Sequence, residues 1–131
     1  MRTNRAETRS ISIQAPPDAV LDFVGDARTL PRWAPAFARA VRPDGEHWLV
    51  DTGAEERRIA LRVSRERGTV DIVAAADPRV GVFTRVLGNG EGSEYLFTQF
   101  FADGTSEEAV ARQVAVVEGE LRTVRDACEA A

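Results

Sequence analysis

The sequence has very little of the side-chain chemistry that disulfides and metal sites need. Cys128 is the only cysteine and His47 the only histidine among 131 residues. A single cysteine excludes an intramolecular disulfide, and one Cys with one His forms no cluster spaced for zinc. We therefore expect no metal site. Cys128 continues an apolar stripe, which favours a buried, inert thiol over a nucleophile.

Lysine is absent altogether, so all seventeen basic residues are arginines, and the formal net charge is −4. We attribute the exclusive use of arginine to genomic base composition. The arginines alternate with acidic residues and form no basic run of the kind found in nucleic-acid-binding arms. The sequence therefore predicts no nucleic-acid partner.

Long apolar runs are also missing, and none approaches the roughly 20 residues that span a bilayer. Residues 1–8 are polar and lack the apolar stretch of a secretory signal. No glycine-rich loop joins a strand to a helix, since residues 88–92 have the composition of a hairpin turn, and nucleotide chemistry is disfavoured. We expect a cytoplasmic protein without a cofactor.

The remaining composition is that of an ordinary globular protein. Hydrophobic residues make up 44% of the chain and charged residues 29%. A chain of this length is long enough for one sizeable core and too short for two. The sequence predicts a single domain over residues 1–131, with residues 1–7 as a flexible tail.

The first third of the chain predicts one strand followed by two short helices. Ile11 and Ile13 alternate with polar residues in a strand over residues 9–14. Pro17 suits the first turn of a helix, which Gly25 ends. Residues 27–37 predict a second helical segment that is interrupted by prolines.

The middle of the chain predicts a series of hairpins. Strand-like segments separated by turn residues cover 38–42, 47–52, 55–65, 69–75, 80–87 and 93–101. Strands grouped between helices, rather than alternating with them, indicate an α+β fold with an antiparallel sheet.

The end of the chain predicts one long helix. Thr105 or Ser106 can cap its first turn, where acidic residues interact favourably with the helix dipole. Apolar residues then recur at spacings of four and three along about 28 Å of helix, at positions Val110, Val114, Val117, Leu121, Val124 and Cys128. One face of this helix should be buried against the sheet.

The chain resembles the START-like, helix-grip superfamily (SRPBCC), which includes polyketide cyclase/dehydratase-like and lipid-transfer proteins. The resemblance is carried by the opening Ile11-Ser12-Ile13-Gln14-Ala15-Pro16-Pro17-Asp18-Ala19-Val20, by Leu30-Pro31-Arg32-Trp33-Ala34-Pro35 and by the long terminal helix. It covers roughly residues 8–131 in element order. The resemblance implies a curved antiparallel sheet around the C-terminal helix, with a ligand cavity between them. Members of the superfamily differ in function, so the fold alone does not decide it.

Apolar residues from separate segments are candidates for lining such a cavity. Trp33 and Phe37 suit either a cavity mouth or the core, because both use the same residue types. Apolar residues on the first helix, the hairpin strands and the terminal helix could likewise either line the cavity or pack in the core. They are Phe23, Phe83, Phe97, Val114 and Val117.

Polar candidates depend on strand register. His47 and Trp48 lie on opposite faces of one strand, and a shift of one residue decides which points inward. Arg57 shares a face with apolar residues, so it either pairs with Glu55 or binds an anionic or carbonyl group. Further polar tips that could reach a ligand are Arg85, Tyr95 and Gln113.

Three classes of function fit these residues. The leading interpretation is a non-catalytic binding or carrier protein for a small hydrophobic or amphipathic ligand, because no catalytic constellation is evident. The alternative is a polyketide cyclase/dehydratase-like enzyme working through His47, Arg57, Arg85 and Tyr95. The third class is a domain that binds a partner protein, and no feature of the sequence favours it directly. Ligand identity and oligomeric state are left open.

Overall fold

A computed structural model of the chain describes residues 1–130. Within them, the helices are α1 (Pro17–Val24), α2 (Leu30–Trp33) and α3 (Glu107–Glu129), with a 3-10 turn at Ala27–Thr29 between the first two. The strands are β1 (Arg5–Ile13), β2 (Ala40–Asp44), β3 (His47–Asp51), β4 (Glu56–Ser64), β5 (Thr69–Ala74), β6 (Asp77–Asn89) and β7 (Gly92–Phe101).

These strands form one curved antiparallel sheet in the order β1-β7-β6-β5-β4-β3-β2. Sequential strands are neighbours except that β1 pairs with β7, which brings the two ends of the domain together. The helix-grip α+β architecture predicted from the sequence is confirmed.

The two faces of the sheet follow from the alternation of side chains along each strand. On β7, Tyr95 and Phe97 are buried, and they lie opposite Val86 and Thr84 of β6. This side of the sheet packs with the helices to form the core, and we call it the inner face. The other side is the outer face.

Helix α3 begins where the sequence predicted. The Ser106 side chain accepts a hydrogen bond of 3.1 Å from the backbone N–H of Ala109, which satisfies an otherwise unpartnered donor of the first turn. Along the predicted stripe, every residue from Val110 to Cys128 is buried except Val114, which is half-buried. The stripe prediction is confirmed, and a carboxylate, that of Glu120, joins the buried face.

The short helices pack at one end of the sheet. Pro17 occupies the first position of α1 and Gly25 ends it, as predicted. Val20 and Val24 of α1 are fully buried, and so are Leu30 and Trp33 of α2. These residues belong to the same core as the α3 stripe, so α1 and α2 extend the core at this end of the domain.

Two strands begin three or more residues before their predicted starts. Strand β1 begins at Arg5, four residues before the predicted start at residue 9, and so includes residues 5–7, which the sequence had placed in a flexible tail. These residues pair with β7 as far as Phe101, and the charged Arg5 and Glu7 on the inner face give no apolar alternation that would reveal the strand in the sequence. Strand β6 begins at Asp77, three residues before the predicted start at residue 80. Over residues 1–130, no helix is long and apolar enough to cross a membrane.

Candidate functional site

A cavity of about 310 Å³ lies between the short helices, the sheet and α3. Its helical side is formed by Leu30, Trp33, Ala34, Phe37, Gln113 and Glu120. Its sheet side is formed by Arg57, Ile72, Val80, Gly81, Val82, Phe97, Gln99 and Phe100. The volume falls at the lower end of the range of small-molecule sites, and the lining is mostly apolar, as such sites usually are.

Gly81 allows the cavity wall to come close to strand β5. Its φ is +153°, and a Cβ atom at this position would lie only 2.1 Å from the carbonyl oxygen of Ile72. The register of β5 against β6 also shifts between Val73 and Ala74. Only glycine fits this close backbone approach, so the bend of β6 beside the cavity depends on it.

Among residues 1–130, Glu120 supplies the one carboxyl group in the cavity lining. The residue is 8% exposed, and its side chain makes no hydrogen bond or ion pair with any of residues 1–130. Burial disfavours the charged form and raises the pKa of Glu120 from 4.5 to about 7. At neutral pH the carboxyl group is therefore present in both protonation states.

Two polar groups are fully buried without a hydrogen-bond partner among the described residues. They are the indole N–H of Trp33 and the hydroxyl of Tyr95. Burial raises the pKa of Tyr95, and the negative charge of Glu120 adds to the shift. Tyr95 therefore stays protonated at neutral pH. It lies on the inner face of β7 but does not line the cavity.

A pair of amides joins the helix to the sheet at the cavity. The Gln113 Nε2 atom on α3 donates a hydrogen bond of 3.2 Å to the Gln99 Oε1 atom on β7. Both side chains are half-buried and line the cavity. Each amide keeps unused hydrogen-bonding capacity for a ligand.

Arg57 brings a positive charge to the rim of the cavity. It lies directly opposite the buried Val50 on β3, hence on the inner face, yet its side chain is 60% exposed. Its Nε atom donates to the Glu55 carboxylate at 2.6 Å. The predicted Glu55 partner is therefore present, but the pair is exposed rather than buried.

The structure brings five of the predicted site residues to the cavity. Trp33 and Phe37 come from α2 and the segment that follows it, Arg57 from β4, Phe97 from β7 and Gln113 from α3. Their convergence places aromatic, amide and guanidinium groups around one apolar space.

His47 and Trp48 lie elsewhere. Trp48 is opposite Ile59, which is buried, so Trp48 faces inward and His47 outward. Trp48 sits in a separate depression with Leu61, and the Arg28 guanidinium carbon lies 5.3 Å from the centre of its indole ring. Neither residue lines the cavity, and their role in ligand binding stays a prediction.

The other predicted residues are also outside the cavity lining. Phe83 and Arg85 point from β6 to the outer face, where the Phe83 ring lies 5.8 Å from that of Phe100. Phe23 and Val117 pack in or against the core, and Val114 is half-buried on α3. Because His47 and Arg85 are on the outer face, the set proposed for an enzyme is not assembled.

Sequence reasoning missed Glu120, Gln99 and the cavity wall at residues 80–82. The signal for Glu120 was present, because Gln113, Val117, Glu120 and Val124 follow the same spacings of four and three as the apolar stripe. Charged residues beside a stripe are usually exposed, so this spacing indicated no buried carboxylate. Within residues 1–130, no three metal-ligating side chains come together.

Solved structures with the same fold cover nearly the whole chain. A putative uncharacterized protein from Bacillus thuringiensis has a TM-score of 0.74 at 16% identity, over 95% of this chain and 98% of that one. The Aha1 dimer from Colwellia psychrerythraea has a TM-score of 0.69 at 16% identity, over 95% and 96%. The Zhui aromatase/cyclase from Streptomyces sp. R1128 has a TM-score of 0.65 at 17% identity, over 97% and 94%. At these identities the similarity establishes the fold alone.

No curated protein matches the sequence significantly. A family model does match, and it extends over residues 6–124, from strand β1 to the last turns of α3. The match therefore includes every element that borders the cavity. The chain belongs to the polyketide cyclase / dehydrase and lipid transport family.

Proposed function

We propose that the protein binds a small hydrophobic or amphipathic molecule in the cavity beneath α3, as a carrier or binding protein without catalytic activity. The observation that carries this proposal is a mostly apolar space of about 310 Å³ whose lining includes the aromatic residues Trp33, Phe37 and Phe97. Such a lining favours an apolar body, and the amide pair of Gln99 and Gln113 can fix its orientation. A cytoplasmic location stays a prediction.

An enzyme of the polyketide cyclase/dehydratase type is the second candidate. The observation in its favour is Glu120, whose pKa of about 7 suits proton transfer near neutral pH. The residues first considered for catalysis do not support it, because His47 and Arg85 lie on the outer face. Any acid–base chemistry in this cavity would depend on Glu120.

Binding can be tested with Nile red, a neutral hydrophobic dye that fluoresces in apolar surroundings. We expect saturable binding of one dye per chain. Val82→Phe fills part of the cavity and should weaken binding about 10-fold or more, because well-packed space cannot accommodate both side chain and dye.

The matched control is Leu96→Phe, which adds an aromatic ring to a half-buried position on the outer face. This variant should bind Nile red as the wild type does. Thermal unfolding followed by circular dichroism checks that both variants fold. Equal binding by all three proteins would place the dye outside the cavity and contradict the proposal.

A further inference from the structure

Glu120 is a largely buried residue on the cavity wall, and its carboxyl group has no partner among residues 1–130. Nearly all buried polar groups in proteins have a hydrogen-bond partner, and a buried charge without one is costly. Glu120 is 8% exposed, lines the cavity and makes no hydrogen bond or ion pair with residues 1–130. A ligand in the cavity can therefore supply the missing partner of the Glu120 carboxyl group.

The charged and titratable groups around Glu120 do not supply a counter-charge. Tyr95 from β7 stays protonated, and so does Cys128 on α3, whose pKa is raised by burial. Arg57, the one cation among the lining residues, is held by Glu55 at 2.6 Å. Arg32 on α2 lies with its guanidinium carbon 5.0 Å from the centre of the Phe23 ring, outside the cavity lining.

The rest of the lining also favours a positively charged group. Trp33, Phe37 and Phe97 contribute three aromatic side chains to the lining of the same space. The face of an aromatic ring attracts a cation, most strongly where water is excluded. A carboxylate surrounded by aromatic rings combines the two interactions that recognise organic ammonium groups.

We propose that the cavity selects ligands that carry a protonated amine on an apolar body, with the ammonium group bound by Glu120 and the body packed against the aromatic rings. This inference rests on the proposed binding function and adds the chemical class of the ligand. Gln99 and Gln113 contribute further hydrogen bonds at the edge of the site.

This assignment predicts how binding depends on pH. Glu120 gains its negative charge as the pH rises through about 7, whereas an alkylamine keeps its proton to about pH 9. Both groups are charged at pH 8, and the carboxyl group is mostly neutral at pH 5.5. Affinity for the amine should therefore rise about 10-fold or more between pH 5.5 and pH 8.

The test compares three probes of nearly equal shape: 1-naphthylmethylamine, 1-naphthylmethanol and 1-naphthoate. Calorimetric titration of the wild-type protein at pH 8 should give an affinity for the amine about 10-fold or more above that for the alcohol, with the acid weakest. Glu120→Gln should abolish the preference for the amine and keep the affinity for the alcohol. Glu118→Gln, an exposed position on the same helix, should keep the preference.

The outcomes separate this inference from the proposed function. Equal affinities for amine and alcohol, or a preference that survives in Glu120→Gln, would overturn the amine assignment while leaving the binding function in place. Absence of binding by all three probes and by Nile red would overturn both. If Glu120→Gln fails to fold, the affinity of the wild-type protein for the amine at pH 5.5 and at pH 8 tests the assignment instead. An affinity that does not rise with pH would overturn it.

Discussion

Leu121→Ala should lower the free energy of unfolding by about 2–5 kcal/mol, the usual range for a buried leucine truncated to alanine. Leu121 is 2% exposed and belongs to the core shared by α3, the short helices and the sheet. Removing three of its carbon atoms loses their burial and leaves a space that its neighbours fill only in part. Equilibrium unfolding in urea measures the loss.

Val116→Ala is the matched control on the same helix. Val116 is 37% exposed and lies off the buried stripe, so its truncation should change the free energy of unfolding by no more than about 0.5 kcal/mol. A loss below about 1 kcal/mol for Leu121→Ala would mean that Leu121 is peripheral or borders an open space. That result would contradict the packing of α3 described above.

Glu120→Gln should stabilise the protein at pH 8 by about 1–3 kcal/mol and have little effect at pH 4.5. The folded state raises the pKa of Glu120 from 4.5 to about 7 through burial. A raised pKa means that the folded protein binds a proton more tightly than the unfolded chain does. Stability from this group is therefore fully present below pH 4.5 and is lost as the pH rises through 7.

Replacing the carboxyl group with an amide removes the ionisation and keeps the shape of the side chain. Urea unfolding of the wild type, Glu120→Gln and the exposed control Glu118→Gln at both pH values isolates the contribution of Glu120. The same effect of Glu120→Gln at pH 4.5 and pH 8, or destabilisation at pH 8, would show that the buried carboxyl group does not titrate as described.

The sequence predicted the architecture because the patterns that define it are local and strong. The apolar stripe of α3, the Ser106 cap and Pro17 at the start of α1 each depend on a few neighbouring residues. The beginning of β1 at Arg5 was not predicted, since its pairing with β7 depends on backbone hydrogen bonds between distant segments. Arg5 and Glu7, which share the inner face, are charged and give no apolar alternation to mark a strand.

The site was predicted less completely, because strand register decides which side chains reach the cavity. Trp48 and His47 exchange places with a shift of one residue, and Phe83 and Arg85 on β6 depend on register in the same way. Burial of Glu120 depends on how α3 lies against the sheet, which its own sequence does not determine. Trp33, Phe37 and Phe97 were identified because large apolar residues lie inside under either interpretation.

The central claim, that the cavity beneath α3 holds an apolar ligand, is tested most directly by locating one there. Nuclear Overhauser effects between bound 1-naphthylmethanol and the protein's methyl groups report which residues lie within contact distance. Contacts to Ile72 and Val82, which line the cavity, are the predicted result. Contacts confined to outer-face residues such as Leu49 and Leu96, or no contacts at saturating probe, would contradict it.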